Sequence, residues 1–397
     1  MRQHDQLNEK RPRLLYVGFN RSYVNRTFAI LIRALQANHD VDFFGPGYQA
    51  EEIVSLGPSR WLDQHGPYDM LLFDHYTIMH DHLARQQRPF GGDVTYFSHR
   101  AYVQSAPVLT KFIDDYPGPK CFIVNWDVYG IEERRTEHLE RIGAFVADVS
   151  QARQTIAERA EQYGGKVETE VGRKGFWFGR ATDHWVNFIK RNRARVLEVP
   201  HAIGLEQFVF TPMETRTNLF SVPGTNYSER ESLYSFLSTS QRLRKLRIKV
   251  EDRICSRIHS SLSEKRLLAI HHRYDAEIAN SKVAYTSGSV FRCPVRKYFE
   301  IPALGALSIG QIVEGFAELG FKDRHNFLIA ETPADVANVI VDYNEDEAQQ
   351  IADRARQLVL ERHSEPARAR QLANSFHRIF SGTFKGSYWE NGNYLHN

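Results

Sequence analysis

With 397 residues, 42% of them hydrophobic and 25% charged, the chain can bury two cores and is too apolar to be a disordered tail. A net charge of +3 argues against nucleic acid as the main partner. Three scattered cysteines, Cys121, Cys255 and Cys293, exclude a disulfide framework and fit a reducing cytoplasm. No apolar run approaches the ~20 residues that cross a bilayer, and the polar opening MRQHDQLNEKRPR lacks an export-signal core, so a cytoplasmic location is expected.

Leu14 to Val17 predicts a short buried strand ending at Gly18, and Val24 to Leu35 has helical spacing of Phe28, Leu31, Ile32 and Leu35. Val41 to Phe44 is a second strand, closed by Gly45-Pro46-Gly47. Met70 to Phe73, Phe122 to Val124 and Phe145 to Val149 are apolar runs of the buried parallel type, with helical stretches such as Glu132 to Arg141 between them. Strands alternating with helices predict a doubly wound α/β domain.

Several polar residues of this half are candidates for chemistry. Gly18 and Asn20 lie at the end of the first strand, where ligands of open α/β sheets bind. Only one glycine is present there, so the G-x-G-x-x-G fingerprint fails and a dehydrogenase is disfavoured. His99 and Asp127, at loop and strand ends, are candidates for acceptor binding or proton transfer by position alone, where a lone polar residue is more often structural. Asp40-Val41-Asp42 has the D-x-D metal pattern but enters a strand away from any cleft edge. His80-Asp81-His82 and His271-His272 lack a full ligand set, so no required metal is predicted.

Arg173 to Arg195 is basic and aromatic, and Gln241 to Leu262 reads as a long helix with Arg242, Arg244, Lys245, Arg247 and Lys249 on one face. Both suit peripheral contact with an anionic membrane, and both suit plain solvation. The first domain is expected to end near Pro200, within Leu197 to Gly204. A second α/β pattern begins with a strand at Leu219 to Val222. Gly224 follows it and lets a ligand approach the backbone, and Arg230 is within reach of a phosphate.

Lys282 to Asp323 is the most informative stretch. It predicts a strand (Val283 to Thr286), a small-residue loop (Ser287, Gly288, Ser289) and a helix opening at Pro294. Arg296, Lys297 and Glu300 fall in that helix's first two turns, and a strand at Ala306 to Ile309 follows Gly305. A strand, a glycine loop and a helix start bring free N–H groups and partial positive charge to one point. Two cations and a carboxylate beside that point suit a diphosphate carrying a ribose. Farther on, Thr332-Pro333 and Asp335 open a helix, another ends near His363, and Ala367 to Ile379 is expected to return to the first domain.

Arg296-Lys297-Tyr298-Phe299-Glu300-Ile301-Pro302-Ala303-Leu304-Gly305, continued by Glu314-Gly315-Phe316 and Leu319-Gly320-Phe321, resembles the C-terminal signature of GT-B glycosyltransferases. It is closest to the CgeB-like (spore-coat-protein-like) branch of the group-1 retaining type. The resemblance implies two Rossmann-like domains facing a cleft: residues 1–200 for the acceptor, 201–375 for the donor, and a 376–397 tail. It implies transfer of a sugar from a nucleotide-diphosphate donor to a glycan, lipid-linked or small-molecule acceptor, with retention and no required cofactor. Glu300 matches the glutamate that grips the donor ribose, and Gly224, Tyr227 and Arg230 match a glycine followed by Tyr-x-x-Arg. Ser287, Gly288, Arg296 and Lys297 complete the donor-binding set. Two departures stand out: Arg292 occupies the place of a paired first glutamate, and His201 replaces an asparagine of the interdomain segment. Alternatives of the same fold remain a non-catalytic nucleotide-binding protein, a UDP-sugar epimerase and a phosphorylase. If diphosphate charge is met by protein cations alone, EDTA leaves nucleotide-sugar turnover unchanged; loss of turnover in EDTA overturns the metal-free expectation.

Overall fold

The computed structural model describes residues 11–20, 22, 25–74, 77, 99–123, 139, 144–147, 154–163, 176–224, 228–241, 243, 264–288 and 292–397. Two parallel sheets organise these residues. The first contains β1 (Arg13–Val17), β2 (Asp40–Phe44), β3 (Met70–Asp74), β4 (Lys120–Ile123), β5 (Ala144–Ala147) and β6 (Val196–Glu198), in the order β2-β1-β3-β4-β5-β6. Every pairing in it is parallel. Covered faces on both sides explain why β1 and β3 read as unbroken apolar runs.

Helix α1 (Arg26–Gln36) crosses between the first two strands. Its start is set by Asn25, whose side chain accepts a hydrogen bond from the Phe28 amide, so the helix opens two residues later than Val24. Phe28, Leu31, Ile32 and Leu35 are buried on one face, as their spacing predicts. Helix α2 (His99–Asp115) precedes β4, and α3 (Phe176–Arg191) precedes β6. Part of the basic-aromatic stretch is thus structural: Val186, Phe188 and Ile189 are core residues, and Lys190 binds Glu158 at 2.7 Å. The expected helix at Glu132 to Arg141 and the basic helix at Gln241 to Leu262 fall almost wholly outside the described residues.

The second sheet holds β7 (Asn218–Ser221), β8 (Ser281–Thr286), β9 (Leu307–Gly310) and β10 (Leu328–Ile329), ordered β10-β9-β8-β7 and parallel throughout. Helices α4 (Ser228–Thr239) and α5 (Glu264–Ala279) lie between β7 and β8. Gly310 ends β9 so close to β8 that an added Cβ would stand 1.9 Å from the Thr286 carbonyl oxygen. Between β8 and β9 lies α6 (Lys297–Ala303), seven residues long. The helix expected from Pro294 starts three residues later. Val295 donates to the Cys293 carbonyl at 2.8 Å and Cys293 donates to Gly288 at 2.7 Å, so these residues close a tight turn first. A helix this short contributes little macrodipole.

Helix α7 (Pro333–Val341) opens with the predicted Thr332/Asp335 capping box, and α8 (Glu345–Arg362) ends at a His363 cap. Helix α9 (Glu365–Phe380) then returns to the first sheet. Ala369, Leu372 and Phe376 join Phe28, Leu31 and Leu35 of α1 in one core. The antiparallel hairpin of β11 (Ser387–Glu390) and β12 (Asn393–His396) follows. Its Trp389 packs among Phe299, Phe321 and Val359, while its indole N–H donates to the Glu198 carbonyl of β6 at 2.9 Å. One side chain therefore belongs to the core under the second sheet and to the edge of the first. Trp389→Ala should lower unfolding stability by about 3–5 kcal/mol in a urea titration; a loss below about 1 kcal/mol would show that the hairpin is a dispensable appendage.

Candidate functional site

The site grows from one glycine. Gly224 ends the turn after β7 with φ +98°, and a Cβ there would lie 2.6 Å from Lys297 Cε, 3.0 Å from Lys297 Nζ and 3.1 Å from Arg230 Nη1. Only glycine fits, both for its left-handed backbone and because two cations close over the same point. Arg230, on α4, is 2% exposed. Burial, and then repulsion from Arg230, push the Lys297 ammonium down to about 7, while Glu300 pulls the other way.

Glu300, one turn into α6, is 4% exposed. Arg296 Nε donates to Oε1 at 2.5 Å and the Tyr274 hydroxyl donates to Oε2 at 3.1 Å. Burial alone would raise this carboxyl. Arg296 above all, by charge and hydrogen bond, with Arg26 and Lys297, holds it down at about 2. An ionised carboxylate has about four acceptor positions, so these two donors leave room for hydroxyls.

Arg296 reaches well beyond Glu300. Its Nη2 donates to Gln207 Oε1 at 2.6 Å, and its Nη1 lies 3.4 Å from both Thr27 Oγ1 and the Ala202 carbonyl. Thr27 Oγ1 also lies 3.3 Å from His201 Nδ1. Beside them Arg26 Nη1 binds Asp275 Oδ1 at 2.7 Å, and Gln207 Nε2 approaches the same oxygen at 3.4 Å. Burial raises the Asp275 carboxyl, and Arg26 opposes that rise. The network joins α1, the 201–207 crossover, α5 and α6. Among the described residues this cluster brings Arg26, Arg230, Arg296 and Lys297 together with Asp275 and Glu300.

The residues singled out in the sequence separate into groups. Gly224, Arg230, Lys297 and Glu300 converge. Arg296, expected at phosphate, spends its guanidinium on Glu300, Gln207, Thr27 and Ala202 instead. Ser287 is buried at the end of β8, its Oγ without a hydrogen-bond partner among the described residues. The Gly288 amide donates to Gln311 Oε1 at 3.3 Å. Arg292, where the resemblance puts a glutamate, pairs with Glu331 at 2.7 Å. Gly18 and Asn20 brace the loop after β2: the Gly18 amide donates to the Phe44 carbonyl at 3.0 Å, and Asn20 Nδ2 to the Gly47 carbonyl at 3.2 Å. His99 is the first residue of α2. Asp127 and Tyr227 lie outside the described residues.

Asp42 of the D-x-D pattern is occupied by Arg13 at 3.2 Å and the Tyr68 hydroxyl at 2.7 Å, a strand-edge arrangement. Sequence reasoning missed Arg26, Thr27, Tyr274 and Asp275. Arg26 and Asp275 are 249 positions apart, with no local signal to link them. Tyr274 and Asp275 had one, since they follow His271 by three and four residues and so neighbour it on the helix surface.

Residues 249–374 match a family model described as "Glycosyl transferase-like". No curated protein matches the chain. Among solved structures, sucrose-phosphate synthase from Thermosynechococcus elongatus superposes with a TM-score of 0.53 at 10% identity, over 94% of this chain and 100% of that one. Anabaena Alr3699/HepE in complex with UDP and glucose gives 0.50 at 11% identity, covering 92% and 99%. A glycosyltransferase from Rickettsia africae gives 0.50 at 13%, covering 93% and 99%. The chain has the GT-B fold, two Rossmann-like halves with parallel sheets, and carries a glycosyltransferase-like segment within its second half.

The buried ion pair makes a stability prediction with a sign. Glu300 titrates lower in the folded chain than in the unfolded one, so its contribution is present above about pH 4.5 and is lost as pH falls toward 2. Glu300→Gln should cost about 3–5 kcal/mol near neutral pH, and the gap from wild type should close as pH drops through that window. Urea titrations at pH 7, 5 and 3.5 measure it; a gap independent of pH would mean that the carboxylate is not held as an ion.

Proposed function

We propose that this chain is a glycosyltransferase whose nucleotide-diphosphate-sugar donor sits at Gly224, Arg230, Lys297 and Glu300. The observation that carries the reading is the meeting of Lys297 Nζ and Arg230 Nη1 at one glycine, two cationic side chains directed at a single point. The two phosphates of a nucleotide sugar carry two negative charges near neutral pH and suit a pair of cationic side chains at one point. Glu300 offers acceptor positions to the ribose hydroxyls. Anabaena HepE, which shares the fold, is bound to UDP and glucose, so a UDP-sugar is the first donor to test.

Chemistry follows from where charge develops. As the bond between the sugar and the diphosphate breaks, negative charge grows on the leaving phosphate. Lys297, half-buried, and Arg230, buried, are already positioned to receive it, and such preorganised charge lowers the barrier without reorganisation. The acceptor hydroxyl gives its oxygen to the sugar carbon and its proton to a leaving-phosphate oxygen. Retention at that carbon, and an acceptor on the first-sheet side near Gly18, Asn20, His99 and Asp127, belong to this reading through the family resemblance. So does the division at residue 200, whereas a cytoplasmic location rests on the three scattered cysteines.

One observation favours a second reading, nucleotide binding without transfer. The Arg292–Glu331 pair stands where retaining relatives would place a carboxylate against the donor sugar. Calorimetric binding of UDP-glucose alongside assays of transfer and hydrolysis separates the two. Binding without any release of UDP, across candidate acceptors, would select the second.

Thermal shift with UDP, GDP, ADP and UDP-glucose finds the donor, because ~100 Kd of the right ligand adds ~2.7 kcal/mol to stability. Lys297→Met should weaken UDP-glucose binding about 10- to 100-fold, the worth of one charged hydrogen bond. A bound diphosphate raises the Lys297 pKa from about 7, so binding takes up a proton and affinity falls as pH rises from 7 to 9. Titration calorimetry across that range is the check, and a flat profile would remove Lys297 from the phosphates.

A further inference from the structure

We propose that His271 is an additional ligand-binding residue of this site: its Nε2 hydrogen-bonds a hydroxyl of the ribose held by Glu300 and so selects ribonucleotide over deoxyribonucleotide donors. The inference rests on the donor reading above and assigns a residue that neither the family signature nor any metal pattern includes.

Three observations carry it. First, His271 Nε2 is shut off from solvent and has no hydrogen-bond partner among the described residues. A folded chain keeps few such atoms, since each is costly, and a ligand that completes the bond is one reason to keep one. Second, His271 lies on α5 three residues before Tyr274 and four before Asp275, hence on the face that carries both. Tyr274 donates to Glu300 at 3.1 Å and Asp275 binds Arg26 at 2.7 Å, so this face looks into the charged cluster. His272 and Arg273, the next two residues, are exposed, so only the first histidine of the pair turns inward.

Third, the imidazole is of the wrong charge for phosphate and the right chemistry for a hydroxyl. Burial, and then Arg26, drive its pKa down to about 4; Arg296 and His272 act in the same direction, and Glu300 opposes them. At neutral pH the ring is therefore uncharged, with one nitrogen donating and the other accepting. Lys297 and Arg230 already supply cations at Gly224. A neutral acceptor or donor next to a carboxylate suits a vicinal diol, one hydroxyl to each. A site built to pair with a hydroxyl rejects the analogue lacking it, because the buried atom is then left without a partner.

The experiment compares wild type, His271→Phe and His271→Gln by titration calorimetry. The ligands are UDP, 2′-deoxy-UDP and 3′-deoxy-UDP, or the GDP or ADP set if thermal shift selects that base. Wild type should prefer the ribonucleotide over at least one deoxy form by 10-fold or more. His271→Phe should cut that ratio at least 5-fold by weakening the ribonucleotide, leave the deoxy affinity within 2-fold, and raise the melting temperature of the free protein. His271→Gln, which keeps a hydrogen-bonding end, should restore part of the ratio. If wild type binds UDP but His271→Phe keeps the full ratio, His271 is a packing residue and this inference alone fails. If no nucleoside diphosphate binds wild type, the donor reading fails and this inference falls with it. Circular dichroism shows that each variant is folded, and a collapse of His271→Phe with a folded His271→Gln that keeps the full ratio also overturns the ligand role.

Discussion

A carboxylate cannot be buried as an ion unless cations and donors replace its lost water, and at Glu300 that requirement shapes everything around it. Arg296 meets the first oxygen and Tyr274 the second. Because a guanidinium carries five donors in a rigid fork, satisfying one carboxylate leaves Arg296 with N–H groups to place elsewhere. They go to Thr27 on α1 of the first half and to Gln207 and the Ala202 carbonyl in the 201–207 crossover. The orientation of Glu300 is thus tied to how the two halves meet.

That arrangement redistributes the roles of the cations. Arg296 is engaged by the ion pair, and the cations that meet around Gly224 are Lys297 and Arg230. The seven-residue α6 adds little dipole, which makes this a site of side-chain charge more than of helix terminus. A lysine held near its own titration point gives such a site an extra property. It can be neutral while empty and charged when an anion arrives, which lowers the cost of keeping two cations together without a ligand.

The halves are joined by more than the site. Helix α9 returns from the second half to pack against α1, and the hairpin brings Trp389 between the β6 edge and the Phe299–Phe321 cluster. Arg33 adds a bridge to Glu206 at 3.0 Å and to Glu365 at 2.5 Å. The halves are thus held by packing at α9 and the hairpin and by the Arg296 and Arg26 contacts at the site. Exposed pairs such as Arg33–Glu206 contribute little individually. The buried indole and the partly buried Arg26–Asp275 pair are the stronger ties.

Much of the fold was legible in the chain itself. Runs such as Leu14 to Val17 and Met70 to Phe73 read as parallel strands covered on both faces, and Thr332 with Asp335 marks a helix start by its own hydrogen bonds. Glu300, Gly224, Arg230 and Lys297 could be named because strand, glycine and helix follow one another closely there and because the segments resemble a family signature, both of which are short-range order. What only the tertiary structure decided is which charge faces which. Arg26 meets Asp275 across 249 positions, Arg296 turns from phosphate to protein, and His271 rather than His272 points inward. Each of these depends on the close packing of elements from different halves, where a few ångströms of placement outweigh any local preference.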